Sequence, residues 1–261
     1  MLIFGSACHG DEFKFSELLK SLNLNALELE FVNGVYMKED YAKILKEKNK
    51  DLKFSAHAPH YINLNANEKE KIERSIYRLI KSAKVLRHCG KDLVFHPGYY
   101  LNKSKEECYK NIKENLQKVL DYFNERNIDI TLRPETTGRV SQFGTLEETL
   151  TLCSELSLKP CIDFPHLYAR SYGKINSYED FYRILEKIEE SVGVKDMHIH
   201  MSGIEFGKGG EKRHLPLERS NFNYKDALRA LKDFCAEGKV ICESPLLEKD
   251  ALLMKRFYES L

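Results

Sequence analysis

The chain has 261 residues, of which 42% are hydrophobic and 31% are charged, a balance typical of a globular protein with a substantial core. Forty-one basic residues oppose 40 acidic ones, so the net charge of +1 does not indicate a nucleic-acid partner, which would require a local basic patch. No apolar stretch approaches the roughly 20 residues that a membrane-spanning helix needs, so we expect no membrane association.

The seven cysteines are scattered along the chain, and none forms a Cys-x-x-Cys pair. An odd, unclustered set indicates free thiols in a reducing compartment rather than a disulfide framework or a zinc-thiolate site. We therefore expect a cytoplasmic protein in which most cysteines are small buried hydrophobic residues.

Short β-rich runs alternate with longer amphipathic stretches from end to end. The pattern predicts eight strands, near Leu2–Gly5, Ala26–Phe31, Lys53–Ala56, Asp92–Phe95, Ile128–Leu132, Lys159–Ile162, Lys195–His200 and Lys239–Cys242. Helical periodicity is predicted over Glu68–His88, Ser104–Asn124, Leu146–Leu156, Tyr178–Glu190, Lys225–Phe234 and Lys249–Tyr258. Two of these stretches begin with start signals, because Ser104 precedes Lys-Glu-Glu and Thr145 is followed by Glu148 at capping-box spacing.

This rhythm predicts a single α/β domain over residues 1–261, folded as a (β/α)₈ TIM barrel. An open doubly wound sheet is the alternative, but it would not gather side chains from six strands at one point. The segment Ser202–Tyr224 contains four glycines and follows the seventh strand, so we predict a long functional loop there.

Most metal-capable side chains lie where an apolar run ends. The set comprises His57, His96, Glu135, Asp163, His166 three residues further on, His198, His200 and Glu243. Because the carboxyl ends of barrel strands meet at one mouth, we expect these side chains to converge there. Imidazoles and carboxylates are ligands that zinc prefers, and several together suit a site with more than one ion. The sequence therefore predicts a multi-metal centre.

Three of these residues also have simpler explanations. Asp163 could cap the following helix while His166 packs on it. Glu135 ends a strand that reads as buried and needs a cationic partner, which Arg133 or Arg139 could supply instead of a metal.

Two further pairs each share one face of a predicted strand. His198 and His200 point to the same side of the seventh strand, so we expect one to bind metal and the other to support it or pack. Glu28 and Glu30 share a parity on the second strand, where they could line the barrel or pair with lysines, and they are left unassigned.

The loops around the predicted mouth carry residues that could touch a substrate. His60 and Tyr61 follow the third strand and could stack or wedge, although ordinary loop packing is the simpler explanation. His214 lies on the long loop and can reach back over the mouth. Basic residues cluster beside it at Lys208, Lys212 and Arg213. Such a cluster suits a phosphate backbone, but a charged loop is often just solvated.

Six segments fall in the order and spacing of the endonuclease IV family, the zinc-dependent apurinic/apyrimidinic endonucleases with xylose-isomerase-like barrels. They are His57-Ala-Pro-His-Tyr-Ile-Asn, Phe95-His-Pro-Gly, Glu135-Thr-Thr-Gly, Cys161-Ile-Asp-Phe-Pro-His166, Met197-His-Ile-His and Glu243-Ser-Pro. The chain resembles that family from the third strand to the eighth.

This resemblance implies three zinc ions at the barrel mouth. His57 and His96 would hold one ion, and Glu135 would bridge it to a second and help hold the attacking water. The second site would be completed by Asp163, Glu243 and one histidine of the seventh strand, for which His200 is the better match. His166 and His214 would hold the third ion.

The long loop departs from the family pattern. The family has Asp-x-His there, and this chain has Lys212 at the Asp position. Glu211, one residue earlier, could replace that carboxylate; otherwise the third site would lack it. We therefore expect two or three zinc ions, with manganese also possible.

The resemblance implies a monomeric hydrolase that cleaves double-stranded DNA at abasic sites during base excision repair. His60 and Tyr61 would wedge into the duplex where the base is missing, because unstacking costs least at a damaged site. Two alternatives stay open. One is a metal-dependent sugar isomerase or epimerase of the same superfamily, with Glu135 and Glu243 as paired bases. The other is an abasic-site DNA-binding protein whose catalysis has lapsed.

Overall fold

The computed structural model describes residues 1–261 and contains ten strands and nine α-helices. The strands are β1 (Leu2–Ala7), β2 (Ala26–Glu30), β3 (Lys53–His57), β4 (Gly90–Phe95), β5 (Thr131–Pro134), β6 (Cys161–Asp163), β7 (Met197–Met201), β8 (Gly203–Gly207), β9 (Gly210–Leu215) and β10 (Gly238–Cys242). The helices are α1 (Glu12–Ser21), α2 (Glu39–Lys48), α3 (Lys69–Leu86), α4 (Lys105–Glu125), α5 (Leu146–Leu156), α6 (Phe164–Arg170), α7 (Tyr178–Ser191), α8 (Tyr224–Asp233) and α9 (Glu248–Ser260).

Eight parallel strands form the barrel, in the order β5-β4-β3-β2-β1-β10-β7-β6. The two end strands approach each other through a bridge between Glu135 and Cys161, and the Thr136 amide donates to the Cys161 carbonyl at 3.1 Å. The predicted TIM barrel is confirmed, and the open doubly wound alternative is wrong.

Alternate residues of the barrel strands face opposite sides, and the two sides differ in character. Leu29, Ala56, Leu93 and Leu132 are aligned in register across β2–β5 and are fully buried. The intervening side chains point into the barrel, where Glu28 of β2 meets His198 of β7 across the interior. Apolar packing against the helices therefore stabilises the outer side, and polar networks fill the inner side.

The predicted helix starts at Ser104 and Thr145 are confirmed, since Ser104 accepts from the Glu107 amide and Thr145 forms a capping box with Glu148. Predicted strand ends differ from the observed ones by up to three residues, most at Ile128–Leu132, where the strand is Thr131–Pro134. None of the helices has the length and apolar character needed to cross a membrane.

Three helices and a two-stranded hairpin were not predicted. Helices α1 and α2 have ten residues each and bury only two or three side chains, so their periodic signal is short, and α6 has only seven residues. The predicted loop Ser202–Tyr224 is wrong, because it contains the antiparallel hairpin β8–β9 and a 3₁₀ turn at Leu217–Arg219. The four glycines of the predicted loop lie instead at the two ends of this hairpin.

Candidate metal centre

A cavity of about 470 Å³ opens at the carboxyl ends of the barrel strands. Eight of its 15 lining residues were predicted for the site: His57, His60, His96, Glu135, His166, Glu211, His214 and Glu243. They converge because parallel barrel strands all end on this side. The cavity is therefore the place where the sequence-predicted ligands meet.

The candidate ligands fall into three adjoining sets, and within each set one ligand atom per residue lies within 4.8 Å of the others. The sets are His57, His96 and Glu135; then Glu135, Asp163, His200 and Glu243; then Asp163, His166 and His214. Glu135 belongs to the first two sets and Asp163 to the last two. A carboxylate shared in this way can bridge two metal ions a few ångströms apart.

Glu135 lies at the centre of the cluster and is almost completely buried. Its Oε2 is 3.1 Å from His57 Nε2 and 3.0 Å from His96 Nε2. Its Oε1 is 3.3 Å from the Nδ1 atoms of both His166 and His200. Burial opposes ionisation, but His96 and His200 hold the pKa of Glu135 well below its usual value. This side chain is therefore a carboxylate surrounded by four imidazoles.

Backbone carbonyls fix the orientation of three of the histidines. The Nδ1 atoms of His57, His166 and His214 lie 2.8, 2.9 and 3.1 Å from the carbonyl oxygens of Ala58, Thr136 and Glu243. A carbonyl oxygen can only accept, so each Nδ1 carries a proton, and Nε2 is the nitrogen that the neutral ring would offer to a metal. Metal-binding histidines are held in this manner, with the second ring nitrogen donating to the protein.

Asp163 serves as a helix cap and also faces the cluster. Its Oδ1 accepts from the His166 amide at the start of α6, at 2.5 Å. Its Oδ2 and the Nε2 of His166 are buried without a hydrogen-bond partner. Burial, with the Glu135 and Glu243 carboxylates nearby, raises the pKa of Asp163 well above its usual value. Unpartnered buried polar atoms are costly, and a cation between them would satisfy both, so the residues fit a metal.

His200 is the β7 histidine that reaches the cluster. Its Nδ1 is 3.3 Å from Glu135 Oε1 and 3.3 Å from Glu243 Oε2. Glu243 is ionised, because His200 and His214 outweigh its burial and lower its pKa to about 2. His198 lies deeper in the barrel, where burial lowers its pKa to about 4. The structure thus places His200 at the mouth and His198 behind it.

Cys161 lies within 4.8 Å of both strand-seven histidines, deep inside the barrel. Burial raises the pKa of its thiol well above the usual value. Glu28 already contacts the Nε2 atoms of both His198 and His200, each at 2.8 Å, so this deeper group is a poor ligand set. Cys161 therefore remains a buried hydrophobic residue, as expected from the sequence.

Glu28 holds both histidines of β7 from inside the barrel. Its Oε2 is 2.8 Å from His198 Nε2 and accepts from the Ser55 hydroxyl at 2.7 Å. Its Oε1 lies 2.8 Å from His200 Nε2, an ionic contact poorly aligned for a hydrogen bond. Burial opposes ionisation, but His200 and His198 hold the pKa of Glu28 well below its usual value. This carboxylate therefore directs the other nitrogen of His200, Nδ1, toward the cluster.

We expect Glu28→Gln to weaken metal binding by about 10–100-fold, the usual effect of losing a carboxylate that orients a metal-binding histidine. Glutamine keeps the shape but not the charge that fixes the His200 ring. Competition with a chelator measures the affinity, and Glu17→Gln on the exposed face of α1 is the matched control. Equal affinities in the two folded variants would show that Glu28 does not orient the cluster.

The predicted alternative of an Arg133 salt bridge to Glu135 is wrong. Arg133 points into the barrel toward its opposite end, where its Nε is 2.7 Å from Asp92 Oδ1 and its Nη2 is 3.0 Å from Asp196 Oδ1. Lys239 also contacts Asp92. Because Arg133 pairs with Asp92 and Asp196 at that end, it does not contact Glu135, whose partners are the imidazoles.

The hairpin β8–β9 brings Glu211 and His214 to the mouth. Glu211 Oε2 is 3.4 Å from His166 Nε2. Burial opposes ionisation of Glu211, but His166 and His214 lower its pKa. Arg139, the other proposed partner of Glu135, instead lines a small adjoining cavity with Glu211. A carboxylate therefore faces the third ligand set from the hairpin.

The basic residues of the hairpin do not line the cavity. Lys212 Nζ is 3.2 Å from Glu205 Oε1, and Arg213 Nε is 2.8 Å from Glu205 Oε2. Lys208 is exposed beside the turn, and its carbonyl accepts from the Tyr172 hydroxyl. Glu205, seven and eight residues before Lys212 and Arg213 in the chain, therefore neutralises part of the predicted basic cluster.

His60 and Tyr61 occupy different parts of the rim. The His60 ring lies 4.9 Å from that of His57 and 5.5 Å from that of His96. Burial and these two imidazoles lower the pKa of His60 to about 4, so it is neutral at pH 7. Tyr61 is 59% exposed and lies outside the main cavity, with the Arg78 guanidinium 5.7 Å from its ring.

Two cavity residues were missed as site residues. Glu30 pairs in register with His57, and burial, with the Glu243 and Glu28 carboxylates, raises its pKa to about 8. His9 follows β1 and lines the same cavity. Two sequence features could have indicated these residues. Glu28 and Glu30 point to the same side of one strand, and His9 follows an apolar run.

A parallel barrel with clustered imidazoles and carboxylates at its mouth defines a TIM-barrel protein with a candidate metal centre. Residues 16–258 match the family described as the xylose isomerase-like TIM barrel, and the chain belongs to that family. It is 63% identical to an uncharacterized protein of Methanocaldococcus jannaschii, over 100% of this chain and 98% of that protein.

Two more distant relatives carry functional names. A probable endonuclease 4 of Acholeplasma laidlawii is 26% identical, over 86% of this chain and 81% of that protein. A D-tagatose 3-epimerase-like protein has a TM-score of 0.76 at 17% identity, over 99% of this chain and 96% of that one. Similarity at that level of identity shows the fold alone, so chemistry must be argued from the site.

Proposed function

We propose that this protein is a zinc-dependent phosphodiesterase that cleaves DNA at abasic sites, as in the endonuclease IV family. The supporting observation is the set of three adjoining ligand groups that share Glu135 and Asp163. Adjoining cations suit the hydrolysis of a phosphodiester, because they can stabilise the charge on both the attacking and the departing oxygen. The similarity to a probable endonuclease 4 adds independent support.

Each ligand group would hold one ion. His57, His96 and Glu135 would bind the first, and the group of Glu135, Asp163, His200 and Glu243 the second. Nitrogen and carboxylate oxygen donors of this kind are typical of catalytic zinc. When bound, the ions would polarise phosphoryl oxygens and lower the pKa of a water ligand.

The third group is where this chain departs from the endonuclease IV pattern, which has Asp where this chain has Lys212. Lys212 pairs with Glu205, whereas Glu211 is directed at His166. We therefore propose that Glu211 joins Asp163, His166 and His214 as a ligand of the third ion. The hairpin would provide the carboxylate from one position earlier in the chain.

The protein's own groups would orient the substrate around these ions. Glu135 would hold a water molecule in line with the phosphorus, because its carboxylate borders both of the first two ligand groups. His60 is neutral at pH 7 and lies on the rim, so it can stack in the gap of an abasic duplex without bringing a charge. Tyr61 would support the same strand from outside the cavity.

The proposal is tested by reconstituting the protein with zinc, counting bound ions by mass spectrometry, and assaying a duplex with one abasic site. We expect three ions per chain and incision at the abasic site, with the intact duplex of the same sequence left uncut. Full zinc occupancy without incision would reject the DNA-repair function and leave the metal centre standing.

A sugar epimerase is the second candidate, since Glu135 and Glu243 lie in one ligand group and could act as paired bases. That chemistry needs a single ion, so one bound metal and turnover of a ketose would favour it. A lapsed enzyme is disfavoured by Glu211, which occupies the place that Lys212 leaves without a carboxylate.

A further inference from the structure

One face of α3 carries a stripe of four cations, here called the α3 stripe: Lys71, Arg74, Arg78 and Lys81. Their spacing of three, four and three residues places them in one row along the helix. They line two connected grooves beside the mouth, which share Tyr61, Arg74 and Arg78. His60 lines both the first groove and the metal cavity, so the stripe leads directly to the mouth.

The charge of these grooves is one-sided. Neither groove lining contains an aspartate or a glutamate. Helix α3 itself carries six basic residues and two acidic ones, a net charge of +4 on a chain whose total is +1. The cavity at the opposite end of the barrel also has basic residues, but it mixes them with Asp92, Asp196 and Glu237. The two grooves beside the mouth are thus lined by cations with no carboxylate among them, unlike the cavity at the other end.

The cations of the α3 stripe are available to an outside anion. Arg78 and Lys81 have no carboxylate within 4.0 Å, whereas Lys71 pairs with Glu68 and Arg74 with Glu70. Those two pairs are solvent-exposed, and exposed ion pairs contribute only about 0–1 kcal/mol, so an anion displaces them at little cost.

Exposed aromatic rings border the same grooves. Tyr36, Tyr61 and Tyr77 are 83%, 59% and 62% exposed, and all three line the second groove. The Arg78 guanidinium lies 5.7 Å from the Tyr61 ring, so a cation of the stripe is next to an exposed aromatic side chain. Cations beside exposed rings are the usual combination for unpaired nucleotides, and the cations alone also suit the phosphate backbone of a duplex.

We propose that the α3 stripe binds the phosphate backbone of duplex DNA that flanks the nucleotide held at the mouth. This inference rests on the proposed function and gives it a substrate-binding surface. Ten residues of helix from Lys71 to Lys81 span about 15 Å. One DNA strand presents a phosphate about every 3.4 Å along its axis, so four or five phosphates pass this row.

The test compares two charge-matched double variants of the zinc-loaded protein. Arg78→Gln with Lys81→Gln removes the unpaired cations of the stripe. Lys84→Gln with Arg87→Gln removes one cation of the same helix and one at its C-terminal cap. Both face elsewhere, since Lys84 lies over Tyr122 and Arg87 lines the opposite cavity. Fluorescence anisotropy gives the Kd for an intact duplex from about 50 to 200 mM salt, and incision of the abasic duplex gives kcat and KM.

We expect the stripe variant to raise Kd and KM by about tenfold and to leave kcat unchanged. Two lost phosphate contacts should also reduce the slope of log Kd against log salt by about 1.8. The Lys84 and Arg87 variant should match the unmodified protein. Equal Kd values and slopes for the two double variants would overturn the role of the stripe, even if incision is intact.

Failure of the proposed function gives a different result. The unmodified protein could bind the duplex through the stripe but fail to incise the abasic site. That result would support the role of the α3 stripe in DNA binding and reject the proposed nuclease activity. If the unmodified protein does not bind duplex DNA even at the lowest salt, the α3 stripe has no such partner and this inference is rejected.

Discussion

Glu135→Gln is expected to lower kcat for abasic-site incision by about 1,000-fold, equivalent to roughly 4 kcal/mol of transition-state stabilisation. Glutamine fills the same space but cannot carry the negative charge that four imidazoles surround. Because Glu135 is common to the first two ligand groups, both would lose their shared anionic donor. Single-turnover incision at saturating zinc measures the chemical step, and metal analysis of the same sample shows how many ions remain bound.

Glu205→Gln is the matched control for this substitution. Glu205 is also a glutamate that pairs with two basic side chains, but it lies on the exposed part of the hairpin. Its removal should change kcat by less than threefold, within about 0.7 kcal/mol. A Glu135→Gln protein that incises as fast as the Glu205→Gln protein would remove Glu135 from the chemistry.

The sequence was sufficient to locate most of the candidate site. His57, His96, Asp163 and Glu243 all end or directly follow strands, and the parallel barrel brings such positions together without further information. Strand alternation explains why His198 and His200 point inward together. The ligand positions therefore depend on strand ends and parity, which are local properties of the sequence.

Contacts made across the barrel could not be predicted in this way. Glu28 lies 170 residues from His198 in sequence, and only the closed barrel brings them within 2.8 Å. The pairing of Arg133 with Asp92 and Asp196, rather than with Glu135, has the same origin. Choosing among several possible partners for a buried charge requires the interior geometry, which periodicity does not contain.

The surface beside the mouth was missed for another reason. The apolar face of Glu68–His88 was sufficient to predict a helix, but the sequence does not show what lies beside its polar face. Four lysines and arginines on that face become a groove lining only because the loops after β2 and β3 pack alongside. Charge patterns become informative once the elements that flank them are known.

Arg133→Met is expected to lower the free energy of unfolding by about 3–5 kcal/mol, because it removes one partner from a buried ion network. Arg133 is 1% exposed and joins Asp92 to Asp196, while Lys239 contacts Asp92 from the other side. Methionine retains the apolar stem and leaves the carboxylates short of one cation. Urea unfolding of the metal-free protein measures the loss, and Tm should fall by roughly 10 °C.

The pH dependence of that loss identifies its cause. Burial opposes ionisation of Asp92, but Arg133 and Lys239 hold its pKa well below the usual value. A carboxylate whose pKa is lower in the folded protein stabilises it above the unfolded pKa, near 3.9, and this stabilisation is lost as the pH falls further. The difference between Arg133→Met and the unmodified protein should therefore be constant near neutral pH and shrink below about pH 4.

Arg256→Met is the control, because Arg256 is exposed on α9 and has no carboxylate within 4.0 Å. Its unfolding free energy should stay within about 0.5 kcal/mol of the unmodified value. The ion network lies at the end of the barrel away from the metal centre, so folded Arg133→Met should retain its zinc and its kcat. If both variants unfold at the same urea concentration, the buried network does not stabilise the barrel; if Arg133→Met loses zinc while folded, the two ends of the barrel are coupled.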